Sequence, residues 1–301
     1  MNPNTISSTG PFIPFEFNET LEQARRRNIH DALLEDVGRN DWTALLVSDE
    51  AVQAQLLVRE SAVLCGIDWF EGCLKKLDPQ AQITWTYLEG DQMQANTPVC
   101  SIRAKSRALL TAERPSLNFL QCLSWTATIT RTYVQAIAGA SPNPRGCQIL
   151  DTRKTIPGLR QAQKYAVRVG GGNNQRLALW DGILIKENHI AAAGSIGAAL
   201  RAAAALNAGV SVQVEVENLT ELQEALDAGA KSVLLDNFST DQMLQAVKLT
   251  AGRALLEASG GIALDHIRAI AQTGVDRISI GKLTKDIEAI DFSLRIQPPA
   301  L

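Results

Sequence analysis

The sequence predicts an α/β protein in which an N-terminal α+β layer domain is followed by a barrel, or near-barrel, of repeated βα units. Two observations carry this prediction. Up to about residue 130, helical and strand-like patterns mix without a regular order, whereas from about residue 147 short β-rich runs alternate with helical segments. The runs recur roughly every 20 to 30 residues, and the alanine-rich segments between them suit helices packed on a parallel sheet.

The N-terminal region begins with a helical pattern. Residues 20–37 place apolar side chains on one side and charges on the other. A strand, a turn, a second strand and a second helix follow in chain order, at 51–60, 88–91, 99–104 and 106–123. We therefore predict an N-terminal α/β domain.

The pattern of the C-terminal region predicts the barrel, which we take as the catalytic domain. Each β-rich run ends in a polar residue or glycine and is followed by a helical segment, and the runs lie at 148–151, 182–186, 212–217, 232–236, 253–257 and 277–281. A further strand is expected at 176–179. The predicted domains are 1–130 for the N-terminal domain and 131–290 for the barrel, with the tail 291–301 expected to pack on the former.

Composition excludes several classes of function. The chain has 301 residues, a formal net charge of -3, and no long basic run or long apolar stretch, which argues against nucleic-acid binding and membrane insertion. Residues 1–17 lack the pattern of a signal peptide, so a cytoplasmic protein is expected. The five cysteines are never spaced as CxxC, which argues against both disulfides and a zinc site.

Cations are concentrated in one stretch of this slightly acidic chain. Arg153 and Arg176 can each grip a carboxylate or phosphate with two hydrogen bonds, and Lys154 and Lys186 supply point charges for the same groups. We infer a small ligand that carries several negative charges.

Polar residues follow most of the predicted barrel strands. In a barrel the active site lies at the C-terminal strand ends, where the sequence places Asp151, Arg153, Lys154, Lys186, Glu215, Glu217, Asp236, Glu257 and Ser259-Gly260-Gly261. Burying unpaired charge is costly unless a ligand, a metal or a partner compensates. Cations and carboxylates in one cavity fit a phosphorylated substrate held with Mg²⁺.

The motifs at these strand ends, with one further upstream, are Asp151-Thr152-Arg153-Lys154-Thr155, Gly170-Gly171-Gly172-x-Asn174-x-Arg176, Lys186-Glu187-Asn188-His189, Val214-Glu215-Val216-Glu217, Leu235-Asp236-Asn237-Phe238, Ser259-Gly260-Gly261 and Glu113-Arg114. Together they resemble the quinolinate phosphoribosyltransferase family, and the resemblance covers nearly the whole chain. The resemblance implies an N-terminal α/β sandwich domain joined to an incomplete, seven-stranded α/β barrel. It also implies a homodimer, or a higher assembly, with shared active sites.

The family reaction joins quinolinate to 5-phosphoribosyl 1-pyrophosphate with Mg²⁺, giving nicotinate mononucleotide, pyrophosphate and CO₂ for NAD biosynthesis. By resemblance, Arg153, Arg176 and Lys186 hold the quinolinate carboxylates, and Arg114 reaches in from the partner subunit. The resemblance implies catalytic roles for Lys154, Lys186, Glu215 and Asp236, the last two also placing Mg²⁺. It implies substrate-binding roles for Thr152, Gln175, Ser259, Gly260, Gly261 and Gly281.

One residue departs from the family pattern, and several rival functions stay open. Gln175 stands where family members often carry histidine, so a general-acid role there is in doubt and a catalytically weakened relative stays open. Lys186 could instead be the Schiff-base lysine of an aldolase-like lyase. The segment 89–98 resembles the turn of a biotinyl or lipoyl carrier domain but lacks its lysine. A pyridine phosphoribosyltransferase that takes nicotinate without decarboxylation is the nearest rival.

Overall fold

The computed structural model describes residues 18–298. Residues 1–17 of the predicted N-terminal domain and 299–301 of the predicted tail lie outside the described residues. No helix between residues 18 and 298 is long and apolar enough to cross a membrane.

The N-terminal part begins with helix α1 (Leu21–Val37). Thr20 caps it: its hydroxyl accepts from the backbone N of Gln23 at 3.2 Å, and the Gln23 side chain accepts from Thr20 N at 2.9 Å. After a short 3₁₀ turn (Ala44–Leu46), the following elements are β1 (Ala51–Val58), β2 (Ala62–Val63), α2 (Ile67–Leu77), β3 (Gln82–Trp85), β4 (Gln92–Met93), β5 (Thr97–Lys105) and α3 (Ser106–Ile137).

Strands and helices then alternate through the barrel. They are β6 (Gln148–Leu150), α4 (Arg160–Val169), β7 (Gly182–Ile185), α5 (Glu187–Ala193), α6 (Ile196–Ala205), β8 (Ser211–Val216), α7 (Leu219–Asp227), β9 (Ser232–Asp236), α8 (Thr240–Thr250), β10 (Leu255–Ser259), α9 (Ile267–Gln272), β11 (Arg277–Ser279) and α10 (Lys282–Lys285). The chain continues into β12 (Phe292–Ile296).

The barrel sheet is parallel and open. Its six strands run in the order β6-β11-β10-β9-β8-β7, so β6 and β7 form the two edges. The α/β class and the incomplete barrel are confirmed, but this sheet has six strands instead of the seven expected, because the strand predicted at 176–179 does not form. The segment before β7 pairs with β6 through one parallel bridge, from Leu150 to Asn173, and after Asn173 the backbone bends and turns instead of extending as a strand.

Helix α3 joins the two halves of the molecule. Leu109 and Leu120, in its first part, belong to the N-terminal core, whereas Tyr133 and Ile137, near its end, belong to the barrel core. The predicted boundary at residue 130 therefore falls inside a continuous helix.

The first sheet is completed from the far end of the chain. Its order is β12-β1-β5-β3, and β1 pairs antiparallel with both β5 and β12. Hydrogen bonds therefore tie the segment after the barrel to the N-terminal part.

Candidate active site

A cavity of about 560 Å³ lies at the C-terminal ends of the barrel strands. The predicted site residues that line it are Thr152, Arg153, Lys154, Gln175, Arg176, Lys186, Glu215, Asp236, Ser259, Gly260, Gly261 and Gly281. Arg114 does not line it: this residue is exposed on α3. Residues from sequence positions more than 120 apart thus meet because parallel strands end at the same edge.

Lys186 and Glu215 form the central ion pair of the cavity. Lys186 Nζ donates to the two carboxylate oxygens of Glu215 at 3.1 and 2.8 Å, and the lysine side chain is 44% exposed while that of the glutamate is 11% exposed. The backbone N of Lys186 donates to His189 Nδ1 at 3.1 Å. His189 therefore supports the start of α5 under Lys186, and its own ring is committed to a structural contact.

Two guanidinium groups share the cavity without a carboxylate partner among the described residues. Arg153 Nε is buried and has no hydrogen-bond acceptor within residues 18–298, whereas Arg176 Nη1 donates to the carbonyl of Gly182 at 2.9 Å. Burial and the nearby charge of Arg153 lower the pKa of Arg176. Such a pair repels itself, and an anion between the two groups would offset that repulsion.

The opposite side of the cavity combines a carboxylate with close backbone. Asp236 ends β9 and accepts from Asn237 Nδ2 at 2.9 Å. Gly260 has a φ of +104°, and a Cβ there would clash with the Asn237 side chain. Glycine is thus needed both for the turn after β10 and for its approach to β9. Ser259 and Gly281 lie beside this turn with Lys282 and Lys285, a set suited to a phosphate.

A buried ion pair fixes the loop that carries Arg176. Lys164 on α4 and Asp151 at the end of β6 are 1% and 0% exposed and hydrogen-bonded to each other. Asp151 also accepts from Asn174 Nδ2 at 2.6 Å and from Gln175 N at 2.9 Å. Burial raises the pKa of Asp151 and lowers that of Lys164, while the charge of each partner opposes the shift.

The glycines before this loop have a packing role. Gly170 ends α4, and a Cβ on Gly172 would meet Thr130 Cγ2 of α3 at 2.8 Å. The triplet thus lets the chain pass close to α3 before it turns toward the cavity.

Gln175 is the first member of a hydrogen-bonded chain that runs into the barrel. Its Nε2 donates to Gln213 Oε1 at 2.8 Å, and Gln213 Nε2 donates to Glu257 Oε2 at 2.9 Å. The Gln175 Oε1 accepts from the backbone N of Arg176 at 2.6 Å. Burial raises the pKa of Glu257, and its Oε1 has no partner among the described residues.

The carboxylates of the cavity fit a metal that a substrate helps to hold. Between residues 18 and 298, no group of three or more His, Cys, Asp or Glu side chains could bind a metal ion by itself. Mg²⁺ is usually held by one or two carboxylates together with substrate phosphates. Asp236 and Glu215 line the same cavity, so the donor set suits Mg²⁺ bound with a pyrophosphate.

Several polar residues of the site were not predicted from the sequence as members of it. They are Lys164, Gln213, Asn237, Lys282 and Lys285. The spacing of Lys282 and Lys285 directly after Gly281 could have indicated the last two, because residues three apart share one face of a helix. Gln213 faces the barrel interior from the middle of β8, where only the alternation of the strand marks it.

The fold and the cavity define a barrel enzyme for substrates with several negative charges. A family model of the quinolinate phosphoribosyl transferase N-terminal domain matches residues 41–124, and one of the C-terminal domain matches residues 126–295. The chain therefore belongs to the quinolinate phosphoribosyltransferase family, which confirms the resemblance in its motifs.

Individual relatives agree with the family models. A probable nicotinate-nucleotide pyrophosphorylase [carboxylating] from Bacillus subtilis is 36% identical over 90% of this chain and 93% of its own length. The corresponding protein of Mycobacterium leprae is 39% identical over 90% of this chain and 96% of its own. The structure of the nicotinate-nucleotide pyrophosphorylase from Francisella tularensis superposes with a TM-score of 0.88 at 44% identity, covering 95% of this chain and all of that one.

Proposed function

We propose that the protein transfers the phosphoribosyl group of 5-phosphoribosyl 1-pyrophosphate to quinolinate and releases pyrophosphate and CO₂, forming nicotinate mononucleotide for NAD biosynthesis. One observation carries the proposal. The cavity holds two guanidinium groups that have no carboxylate partner within residues 18–298, and it also holds a carboxylate with a glycine turn and lysines. A dicarboxylate and a phosphorylated sugar need these two halves side by side.

The two substrates divide the cavity between them. Arg153, Arg176 and Lys186 hold the carboxylates of quinolinate, and Lys154 lies toward the pyrophosphate. The turn formed by Ser259, Gly260 and Gly261, together with Gly281, receives the 5-phosphate. Glu215 and Asp236 face the ribose and the metal between these groups.

The chain contributes chiefly position and charge to the reaction. The bond from the ribose C1 to pyrophosphate breaks and the pyridine nitrogen bonds to C1, so positive charge develops on the ribose while negative charge departs. Lys154 and Lys186 stabilise the departing charge, and a carboxylate of Glu215 or Asp236 stabilises the ribose. The positive charge of the ribosylated nitrogen then stabilises the carbanion that remains on the adjacent ring carbon when its carboxylate departs as CO₂, and a proton adds to that carbon.

Mg²⁺ would be held by Asp236 and Glu215 and would supply charge neutralisation for the leaving pyrophosphate. Asp236 is the more available of the two, because both oxygens of Glu215 accept hydrogen bonds from Lys186. A cytoplasmic location, expected from the composition, stays a prediction.

A shared active site in a homodimer explains the position of Arg114. This residue lies on the same face of α3 as Arg107 and Thr111. Arg107 donates to the Val47 carbonyl at 3.0 Å and Thr111 to Asp41 at 2.8 Å, so both bind the segment 41–47. The same segment exposes 75% of Trp42 and 83% of Leu46. Large exposed apolar side chains beside an exposed arginine are typical of an interface. A partner subunit would cover them and receive Arg114.

Purified protein with Mg²⁺ and both substrates is expected to form nicotinate mononucleotide together with pyrophosphate and CO₂. Chromatography of the nucleotide and capture of labelled CO₂ measure the products. Removal of the metal by a chelator is expected to abolish turnover, and added Mg²⁺ to restore it, because the pyrophosphate then loses its neutralising charge.

Nicotinate is the decisive control substrate for this assay. Turnover of nicotinate but not of quinolinate would contradict the proposed function. Incubation with a carbonyl substrate and borohydride is expected to leave Lys186 unmodified, and covalent trapping there would revive the aldolase-like alternative.

Mixed dimers are expected to regain activity when one subunit carries Arg114→Ala and the other Lys186→Ala. Each variant alone lacks a part of both sites, but a mixed dimer has one site with both residues. Random exchange of equal amounts should give about a quarter of the wild-type activity, because half of the dimers are mixed and each has one working site. Native mass spectrometry verifies the exchange; complete exchange without recovery would argue that Arg114 does not act across the interface.

A further inference from the structure

The hydrogen-bonded chain of Gln175, Gln213 and Glu257 is the part of the barrel interior that the proposed reaction leaves without a role. Gln213 is 7% exposed and Glu257 is 1% exposed, so both lie in the interior of the barrel. A buried carboxyl and a buried amide are costly to maintain. On the neighbouring strands, the positions that pair with Gln213 and Glu257 carry the aliphatic side chains of Leu184 and Leu234. The polar chain therefore calls for a physical reason.

Its direction is fixed by the donors and acceptors. Gln175 donates to Gln213 at 2.8 Å, and Gln213 donates to Glu257 at 2.9 Å. With both amide groups engaged in this order, the Gln175 oxygen is directed back toward its own loop, where it accepts from Arg176 N at 2.6 Å. A rotation of the Gln175 amide would place two donors against each other at Arg176 N, so the chain permits one orientation.

The Gln175 end of this hydrogen-bonded chain lies at the carboxylate-binding part of the cavity. The backbone N of Gln175 donates to Asp151 at 2.9 Å, and in the next peptide unit the Gln175 carbonyl accepts from Lys164 Nζ at 3.0 Å. The side chain of Gln175 restrains that unit through Arg176 N. Arg176 in turn has its guanidinium placed by the Gly182 carbonyl at 2.9 Å. The Arg176 side chain is therefore fixed at both ends.

The hydrogen-bonded side chains of Gln175, Gln213 and Glu257 also separate two cavities. Gln175 and Glu257 line the active-site cavity and a second cavity of about 660 Å³, which is lined by Ser211, Ser232 and Arg277 at the first residues of their strands. These three side chains thus form the floor of the active-site cavity.

We propose that Gln213 and Glu257 are positioning residues for quinolinate, which hold the Arg176 backbone in place through Gln175. The proposal rests on the proposed function. Neither residue need touch the reacting atoms. The polar chain supplies orientation that aliphatic packing could not, because aliphatic side chains accept and donate no hydrogen bonds.

The test measures quinolinate binding by calorimetry in the absence of the phosphoribosyl cosubstrate. Gln213→Leu replaces the amide by an apolar side chain and breaks both hydrogen bonds, and we expect it to weaken quinolinate binding about tenfold. Affinity for 5-phosphoribosyl 1-pyrophosphate is expected to stay within about twofold, because its phosphate site lies on other strands. A general loss of structure would weaken both ligands.

Two variants of Glu257 sharpen the test. Glu257→Gln keeps an oxygen that can accept from Gln213 and is expected to bind quinolinate within about twofold of the wild type. Glu257→Leu removes the acceptor and is expected to match Gln213→Leu. As a control for the loss of a buried polar atom, Thr250→Val removes a hydroxyl that is buried on α8 without a partner among the described residues, and quinolinate affinity should not change.

Several outcomes overturn the inference or support it. If folded Gln213→Leu binds quinolinate as the wild type does, the inference fails. If Gln213→Leu does not fold, Gln175→Met breaks the same chain at its less buried end and must show the loss. If the double variant Gln213→Leu, Glu257→Leu loses no more affinity for quinolinate than either single variant, the two residues act through the same hydrogen-bonded chain, which supports the inference. Failure of the wild type itself to bind quinolinate would instead refute the proposed function.

Discussion

Replacing Lys186 by methionine is expected to lower kcat by about 10²–10³-fold, because the variant loses a fixed positive charge at the place where charge leaves the ribose. Lys186 Nζ lies 2.8 Å from Glu215 Oε2, so its position is already set before substrate binds. The loss of stability should be smaller than for removal of Lys164, since the lysine side chain is 44% exposed and water can reach this pair, although Glu215 loses its cation. Steady-state kinetics at saturating concentrations of both substrates, together with urea unfolding, separates the two effects.

Lys231→Met is the matched control for this prediction. It removes the same charge at the opposite end of the barrel, directly before β9, where the side chain is exposed. We expect kcat to change by less than about twofold there. Similar losses in the two variants would show that the net charge of the protein, and not the position of Lys186, controls the rate.

Replacing Lys164 by methionine is expected to destabilise the protein by about 3–5 kcal/mol, because Asp151 then keeps a buried charge without its cation. Asp151 would retain only the amide of Asn174 and the backbone N of Gln175. The free energy of unfolding from urea titrations measures the loss. Quinolinate affinity should fall as well, since the loop that carries Arg176 is hydrogen-bonded to the same Asp151 carboxylate.

The double variant Asp151→Asn, Lys164→Met tests this explanation. Without a charge on either residue the desolvation cost disappears, and an amide at position 151 can still accept from Gln175 N. We therefore expect the double variant to be more stable than Lys164→Met. A double variant as unstable as the sum of the two single variants would mean that packing, and not the unpaired charge, causes the loss.

The strands of the barrel and most of the cavity could be predicted from the sequence because the pattern is local. Each strand is a short apolar run, and the residue after it must lie at the carboxyl edge of a parallel sheet. Glu215 and Asp236 were found in this way and line the cavity. To predict these site residues it was enough to know their position at the end of a strand; the order of the strands in the sheet was not needed.

Long-range contacts explain what the sequence did not indicate. Helix α3 was expected to end at residue 123 but continues to Ile137. Residues 124–137 are rich in threonine and aromatic side chains, which have low helix propensity. Burial in the barrel core overrides that propensity, and the Thr128 and Thr130 hydroxyls bond to carbonyls four residues earlier. Lys164 was missed for the same reason: on an isolated helix its charge indicates a solvent-facing position, and its partner Asp151 comes from another element.

Strand β12 has a consequence for the synthesis of the protein. The chain reaches Phe292–Ile296 only after the whole barrel has been made, yet these residues form the outer neighbour of β1. Throughout elongation the edge of β1 has unpaired backbone groups, which can pair with other nascent chains. The N-terminal sheet, although it leaves the ribosome first, is thus completed last. A premature stop just before β12 would leave a complete barrel joined to a sheet whose β1 edge is unpaired and prone to aggregation.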